Sequence, residues 1–266
     1  MKKTVAIIHY NTPELTEALI FSIRKHGGED YRVVVFDNST DYVDKHGDAC
    51  KARPFRTIRK AERKLWGKGG VKVYNNRYGK IIDLERELEK YPERDEHIGC
   101  AQGCWYGSDK HMMTVQKLWE LIPEGFVLID SDVLIKDDFD FMFMPDECCC
   151  GYIHKSNGPG QIERLAPMLL WINVPMCEAG GARFFDPDRA WALHHGYDNP
   201  KNFWDTGAAF LDDIRRLKPQ CHGIAITRER ILAVIEHYGG GSWHGNDLLK
   251  QAKWLERNKE LWTDGE

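Results

Sequence analysis

Three apolar runs end abruptly in polar groups, and they constrain the fold more than any other feature of this chain. The first is Thr4-Val-Ala-Ile-Ile-His9, followed by Tyr10-Asn11. The second spans Tyr31 to Phe36 and stops at Asp37-Asn38-Ser39; the third is Phe126-Val-Leu-Ile129, which runs into Asp130-Ser131-Asp132. Runs of this length and composition read as buried strands carried to their ends. Between the first two, Thr12 and Pro13 supply a helix N-cap and a first-turn proline. Leu15, Ala18, Leu19 and Ile23 then recur at helical spacing, and Gly27-Gly28 stops the helix. Strand, helix, strand is a βαβ unit, and it predicts a parallel sheet.

Ligands of such sheets bind beyond the carboxyl ends of the strands. Asn11, Asp37, Asp130 and Asp132 are therefore expected on one rim. Strand alternation would point Asp130 and Asp132 to the same side. Two carboxylates so placed repel unless a positive charge lies between them, and a divalent cation is the usual answer. The pattern predicts a metal-assisted reaction on a phosphate-bearing substrate.

The bulk properties narrow the class. With 266 residues, 42% apolar and 29% charged, the chain can bury a full core as one large domain or two small ones. A formal charge of −4 argues against general nucleic-acid binding. No apolar run approaches the roughly 18 residues of a spanning helix. The apolar part of the N-terminus is too short for a signal peptide, which leads us to expect a cytoplasmic protein. Of the eight cysteines, Cys148, Cys149 and Cys150 are consecutive, and Cys100 and Cys104 are four apart. Neither group has paired C-x-x-C spacing, so reduced, packed thiols are expected; spacing gives no support to a zinc site drawing on Cys177 or Cys221.

Two charge blocks stand out. Residues 51–68 hold eight Lys or Arg against Glu62 alone, and residues 83–96 hold seven acids against three bases. The plain reading is a pair of solvated helical faces; the sharper one is contact with a diphosphate, an anionic acceptor or a membrane surface. Met112, Val115, Leu118, Trp119 and Ile122 make a helical stripe, closed by Pro123-Glu124-Gly125. Beyond residue 140 the pattern is irregular. Residues 228–237 read as helical, Gly239-Gly240-Gly241 intervene, and residues 247–262 read as a last amphipathic helix. With neither repeats nor a clear linker, one domain is the simplest count.

In order, these elements resemble the family 2 glycosyltransferases of the GT-A fold. The resemblance rests on Val5-Ala-Ile-Ile-His-Tyr-Asn11, on Val33-Val-Val-Phe-Asp37-Asn-Ser39 and on the Asp-x-Asp signature Asp130-Ser131-Asp132. It covers roughly the first 140 residues. It implies an α/β, Rossmann-like fold with a mostly parallel central sheet flanked by helices. Residues 1–140 would bind a nucleotide-sugar, a UDP-sugar above others, and residues 141–266 would be an irregular half that binds the acceptor and closes on the metal. It further implies Mn²⁺ or Mg²⁺ on the donor diphosphate, held by Asp132. Asp37 would contact base or ribose, Asp130 the ribose, the sugar or the metal, and Asn11 would line the donor site.

The same resemblance extends to Glu236-His237-Tyr-Gly-Gly240-Gly-Ser-Trp-His244, which looks like the segment that closes over the donor. There His237, or else His244, would add a metal ligand, and Gly240 would let backbone N–H groups reach the phosphates. An inverting transfer needs a base; Asp205, beside Phe203-Trp204, is the first candidate and Glu178 the second. His111 stands where the family commonly carries Arg-Asn, and is expected to face the donor. Gln161-x-x-Arg164 resembles part of a processive-synthase signature but lacks its tryptophan, so a single sugar addition is expected. The acceptor would be a glycan or a lipid-linked glycan, in cell-surface polysaccharide assembly, with peripheral membrane contact through residues 51–68.

Two other readings fit parts of the sequence. Phe126 to Val133 also satisfies the motif of haloacid-dehalogenase-like phosphatases, with Asp130 as nucleophile and Asp132 as acid/base. That family begins near this motif and leaves the first 120 residues unexplained. A non-catalytic sugar-nucleotide or glycan-binding protein is the third reading.

Overall fold

The computed structural model describes residues 3–28, 30–43, 49–55, 70–84, 86, 104–155, 163–185, 206–217, 221–239 and 247–263. The chain packs as two compact units. One comprises Met1–Ile81, Val127–Phe143 and Arg228–Glu266; the other comprises Ile82–Phe126 and Met144–Thr227.

The first unit opens with β1 (Thr4–His9), α1 (Pro13–Gly27) and β2 (Arg32–Asp37). A short antiparallel pair, β3 (Tyr42–Val43) and β4 (Ala49–Cys50), precedes β5 (Val71–Asn75). Strands β1 and β2 pair in parallel, β2 pairs in parallel with β5, and β1 pairs on its other side with β6 (Phe126–Asp130). The βαβ expectation is met, and for the expected reason. Val5, Ala6, Ile7, Val33, Val34, Val35, Val127, Leu128 and Ile129 are fully buried, as parallel strands covered on both faces require.

Helix α1 buries Leu15, Ala18, Leu19, Ile20 and Ile23. It ends at Gly27, where a Cβ would come 2.5 Å from the Tyr31 ring, so only glycine allows that approach. Tyr31 stacks on Phe139 at 5.0 Å and donates to Asp140, which Lys3 also meets. Thr12 does not cap the helix: its side chain makes no cap hydrogen bond. After β6 the chain turns and enters β7 (Val133–Ile135). Ile135 N donates to Ser22 Oγ at 2.9 Å, which ties β7 to α1. Residues 228–237, expected as one helix, divide into α5 (Arg228–Val234) and β11 (Ile235–His237), the latter antiparallel to β7. Tertiary pairing wins over the local helical pattern here. The last helix, α6 (Leu248–Arg257), is capped by Asp247 and places Trp254 and Leu255 against Leu15, Ala18 and Leu134.

The second unit holds α2 (Cys104–Leu121), whose stripe of Met112, Val115, Leu118 and Trp119 is buried together with Ile122, as its spacing predicts. Beyond residue 140 the chain is more regular than its sequence suggests. Strand β8 (Cys149–His154) pairs antiparallel with β9 (Arg164–Ile172) and in parallel with β10 (Gly223–Ile226). Pro167 disguises β9, because proline has no N–H for a ladder. It falls between Leu165 and Leu170, the interval in which the β8–β9 register shifts. Helices α3 (Val174–Gly180) and α4 (Ala208–Arg216) complete the unit, with Phe210 of α4 set edge-on to Trp119. The fold class is α/β with mostly parallel strand pairing. Among the described residues, no helix is long and apolar enough to cross a membrane.

Candidate functional site

The parallel register brings the strand ends of the first unit level with one another. His9 stands opposite Asp37, and Ile8 opposite Asp130. The rim expected from the sequence is therefore present, and it has two distinct parts.

The first part is a hydrogen-bonded knot. Asn11 adopts φ 56°, a left-handed conformation that asparagine tolerates better than most residues. Its N–H donates to Ser39 Oγ (3.2 Å), its Nδ2 to Thr40 O (2.9 Å), and its Oδ1 accepts from Arg53 N (2.8 Å). Asp37, only 1% exposed, accepts from Ser39 N at 2.9 Å and from Phe55 N at 3.1 Å. Both Asp37 oxygens thus hold backbone.

His9, fully buried, completes the knot. Its Nε2 lies 3.1 Å from Arg53 O and its Nδ1 2.8 Å from Thr16 Oγ1. A carbonyl only accepts, so Nε2 carries the proton and Nδ1 accepts from the threonine. Burial pushes the His9 pKa below its ordinary value, with Asp37 at 3.9 Å pulling the other way. Arg53 in turn pairs with Glu14. A shallow open pocket of about 350 Å³ lies beside this knot, lined by Pro13, Glu17, Ala52, Arg53, Pro54 and Phe55.

The second part surrounds the signature. Asp130 closes β6, while Ser131 and Asp132 lie in the turn before β7. Strand alternation therefore does not relate the two carboxylates; the turn does. The hydroxyls of Ser131 and Thr12 approach to 3.3 Å, pinning that turn to the start of α1. The β7–β11 ladder sets His237 opposite Val133, and Tyr238 N donates to Asp132 O at 2.9 Å. His237 Nε2 consequently sits 3.4 Å from Oδ1 of Asp132, whose residue is 5% exposed. Two residues 105 positions apart in sequence are brought together by a three-residue strand.

Asp130, Asp132 and His237 are the residues here that could hold a divalent cation. Carboxylate oxygens of Asp130 and Asp132 are hard ligands appropriate to Mg²⁺ or Mn²⁺, and an added imidazole favours Mn²⁺ of the two. Among the described residues, His237 and Asp132 approach each other, but Asp130 does not join them in a three-ligand cluster within 4.8 Å, so the structure brings together two of the three expected metal ligands.

Asn11, Asp37, Asp130, Asp132 and His237 all belong to the first unit, whereas His111 on α2 and Glu178 on α3 belong to the second. His111 is half-buried. Glu178 is exposed and accepts a 3.0 Å hydrogen bond from the Trp119 indole. Asp205, Gly240 and His244 lie outside the described residues, as do most of the two charge blocks. Sequence reasoning passed over His9 and Arg53 as site residues. His9 looked like the end of a strand and Arg53 like one member of a basic run; a buried partner 44 residues away leaves no local signal.

The α/β fold described above is similar to that of a solved glycosyltransferase. The galactosyltransferase LgtC, solved in complex with donor and acceptor sugar analogs, is similar over 99% of this chain and 98% of its own, with TM-score 0.52 and 14% identity. Mouse xyloside xylosyltransferase 1 matches over 84% of both chains at TM-score 0.45 and 11% identity. GlyE of Streptococcus pneumoniae TIGR4 matches over 84% of this chain at TM-score 0.42 and 12% identity, and the match spans 45% of the GlyE chain. No protein-family model matches the sequence, and no curated protein matches it. At these identities the likeness concerns the fold. The likeness to LgtC runs along nearly the whole chain, including its first 120 residues.

Proposed function

We propose that this protein is a metal-dependent glycosyltransferase that moves one sugar from a nucleotide-sugar donor, a UDP-sugar first among them, to a glycan or lipid-linked acceptor. The observation that carries the reading is the approach of His237 to Asp132 at 3.4 Å, at the carboxyl edge of the parallel strands. Such an edge is where nucleotides bind in open α/β sheets.

In this reading Asp132, Asp130 and His237 would hold Mn²⁺ or Mg²⁺, with His244 as the alternative histidine. When bound, the cation would supply Lewis-acid stabilisation of the charge left on the departing diphosphate. Ser131 and Thr12 fix the turn that carries Asp132. Asn11 and Asp37 shape the wall on the nucleotide side, and Gly240 would let backbone N–H groups approach the phosphates. Asp205 or Glu178 would take the acceptor proton in an inverting transfer, and His111 would face the donor. The biological setting that fits this chemistry is cell-surface polysaccharide assembly by a cytoplasmic enzyme, with the basic residues 51–68 meeting the membrane surface.

The test is incubation of the protein with a panel of UDP-sugars, Mn²⁺ and candidate glycan acceptors, reading released UDP and the glycosylated product together. Product formed only with both metal and acceptor supports the reading, and its anomeric configuration separates inversion from retention. Hydrolysis of a simple phosphate ester, without sugar transfer, would favour a phosphatase.

A further inference from the structure

Three cysteines of the second unit converge in a way their spacing did not suggest. Cys148 immediately precedes β8, Cys177 sits on α3, and Cys221 lies in the turn leading to β10. All three are fully buried, and their sulfur atoms lie within 4.8 Å of one another. They are free thiols.

The backbone around them is closely tied. Cys148 N donates to His222 O (2.9 Å), Asn173 N to Cys148 O (2.8 Å), Cys177 N to Asn173 O (3.0 Å) and Cys221 N to Leu217 O (3.0 Å). The Cys177 thiol itself points to Cys148 O at 3.2 Å. Outside the triangle, Glu147 and His222, the immediate neighbours of two of its members, are hydrogen-bonded at 2.5 Å. The three sulfurs are thus held in place by main-chain contacts from separate elements.

We infer that Cys148, Cys177 and Cys221 form a structural binding site for one thiophilic cation such as Zn²⁺ or Cu⁺. A metal–sulfur bond of about 2.3 Å puts trigonal thiolates about 4.0 Å apart and tetrahedral ones about 3.8 Å apart. Both spacings lie inside the observed limit. A ligand set of sulfur alone selects soft ions and rejects Mg²⁺ and Ca²⁺. Binding converts three thiols to thiolates and releases three protons to solvent, so affinity rises with pH. Burial leaves the ion closed to substrate, which makes it a staple joining the start of β8, α3 and the approach to β10. The site is independent of the glycosyltransferase reading and uses none of its residues.

The experiment is titration of the reduced, metal-free protein with Cd²⁺, following sulfur-to-cadmium charge-transfer absorbance. We expect one Cd²⁺ per chain, a raised midpoint of thermal unfolding, and displacement by Zn²⁺ or Cu⁺ that identifies the preferred ion. Cys177→Ser should weaken binding by more than the roughly 10–100-fold typical of losing a supporting partner. Cys50→Ser, in the first unit, should leave it unchanged. Should Cys177→Ser fail to fold, alkylation of the wild-type protein in partly denaturing urea, with and without Cd²⁺, decides instead: bound metal must slow modification of Cys148, Cys177 and Cys221 together relative to the metal-free protein. Absence of a charge-transfer band, or protection of other cysteines only, would overturn the inference.

Discussion

Asp37 closes β2 and Asp132 follows β6 by two residues; both are nearly inaccessible, yet their surroundings differ. Asp37 accepts from two main-chain N–H groups and ties Phe55 to the turn at Ser39. Asp132 is held through its own backbone, by Tyr238, and turns its carboxylate toward His237. One carboxylate is taken up by main-chain donors, and the other faces an imidazole. Residue type and position at a strand end do not distinguish these roles; the identity of the partner does.

Breaking the second arrangement should have the largest effect on activity. Asp132→Ala is expected to lower sugar transfer by at least about 100-fold while shifting the unfolding midpoint little. A mutant rate close to wild type would remove Asp132 from the site. The first arrangement should fail in the opposite sense. Asp37→Ala strands two buried N–H donors, which costs roughly 2–4 kcal/mol of stability, measurable by denaturant unfolding. Unchanged stability would mean that Asp37 does not hold Phe55 to the turn at Ser39.

His237→Ala should sharpen the contrast with a more modest loss, about 10–100-fold in Mn²⁺ affinity, seen as a higher Mn²⁺ requirement for transfer. The smallest effect is one of pH. His9 is buried neutral, so its pKa is lowered in the folded state. An unfolded chain then binds the proton more readily, and stability rises with pH across the window between the two values. The His9 contribution is complete above the unfolded value of about 6.5 and is lost as pH falls below it. His9→Gln should flatten that part of the stability–pH curve; an identical slope would exclude His9 as its source.

Much of the rim was legible in the sequence because local signals agreed. The apolar runs of β1, β2 and β6 end where their polar residues begin, and Pro13 and Gly27 bound the helix between them. What escaped notice depends on distant partners. Ile235-Glu-His237 continues the pattern of α5 and becomes a strand only through its pairing with β7. Pro167 disguised β9, although the register shift accommodates it. Arg53 meets Asn11 and Glu14 across a loop, and no periodicity announces that contact. The cysteine triangle draws on three elements, so no C-x-x-C spacing marks it.

The most direct test of the central claim is the thermal midpoint of the protein with UDP, GDP, CDP and dTDP, each with and without Mn²⁺. A ligand that binds only the native state raises that midpoint by mass action. The account predicts a shift with one nucleotide, largest with UDP, that disappears when Mn²⁺ is withheld. No shift with any nucleotide, or a shift indifferent to the metal, would contradict a metal-dependent nucleotide-sugar site at Asp132 and His237.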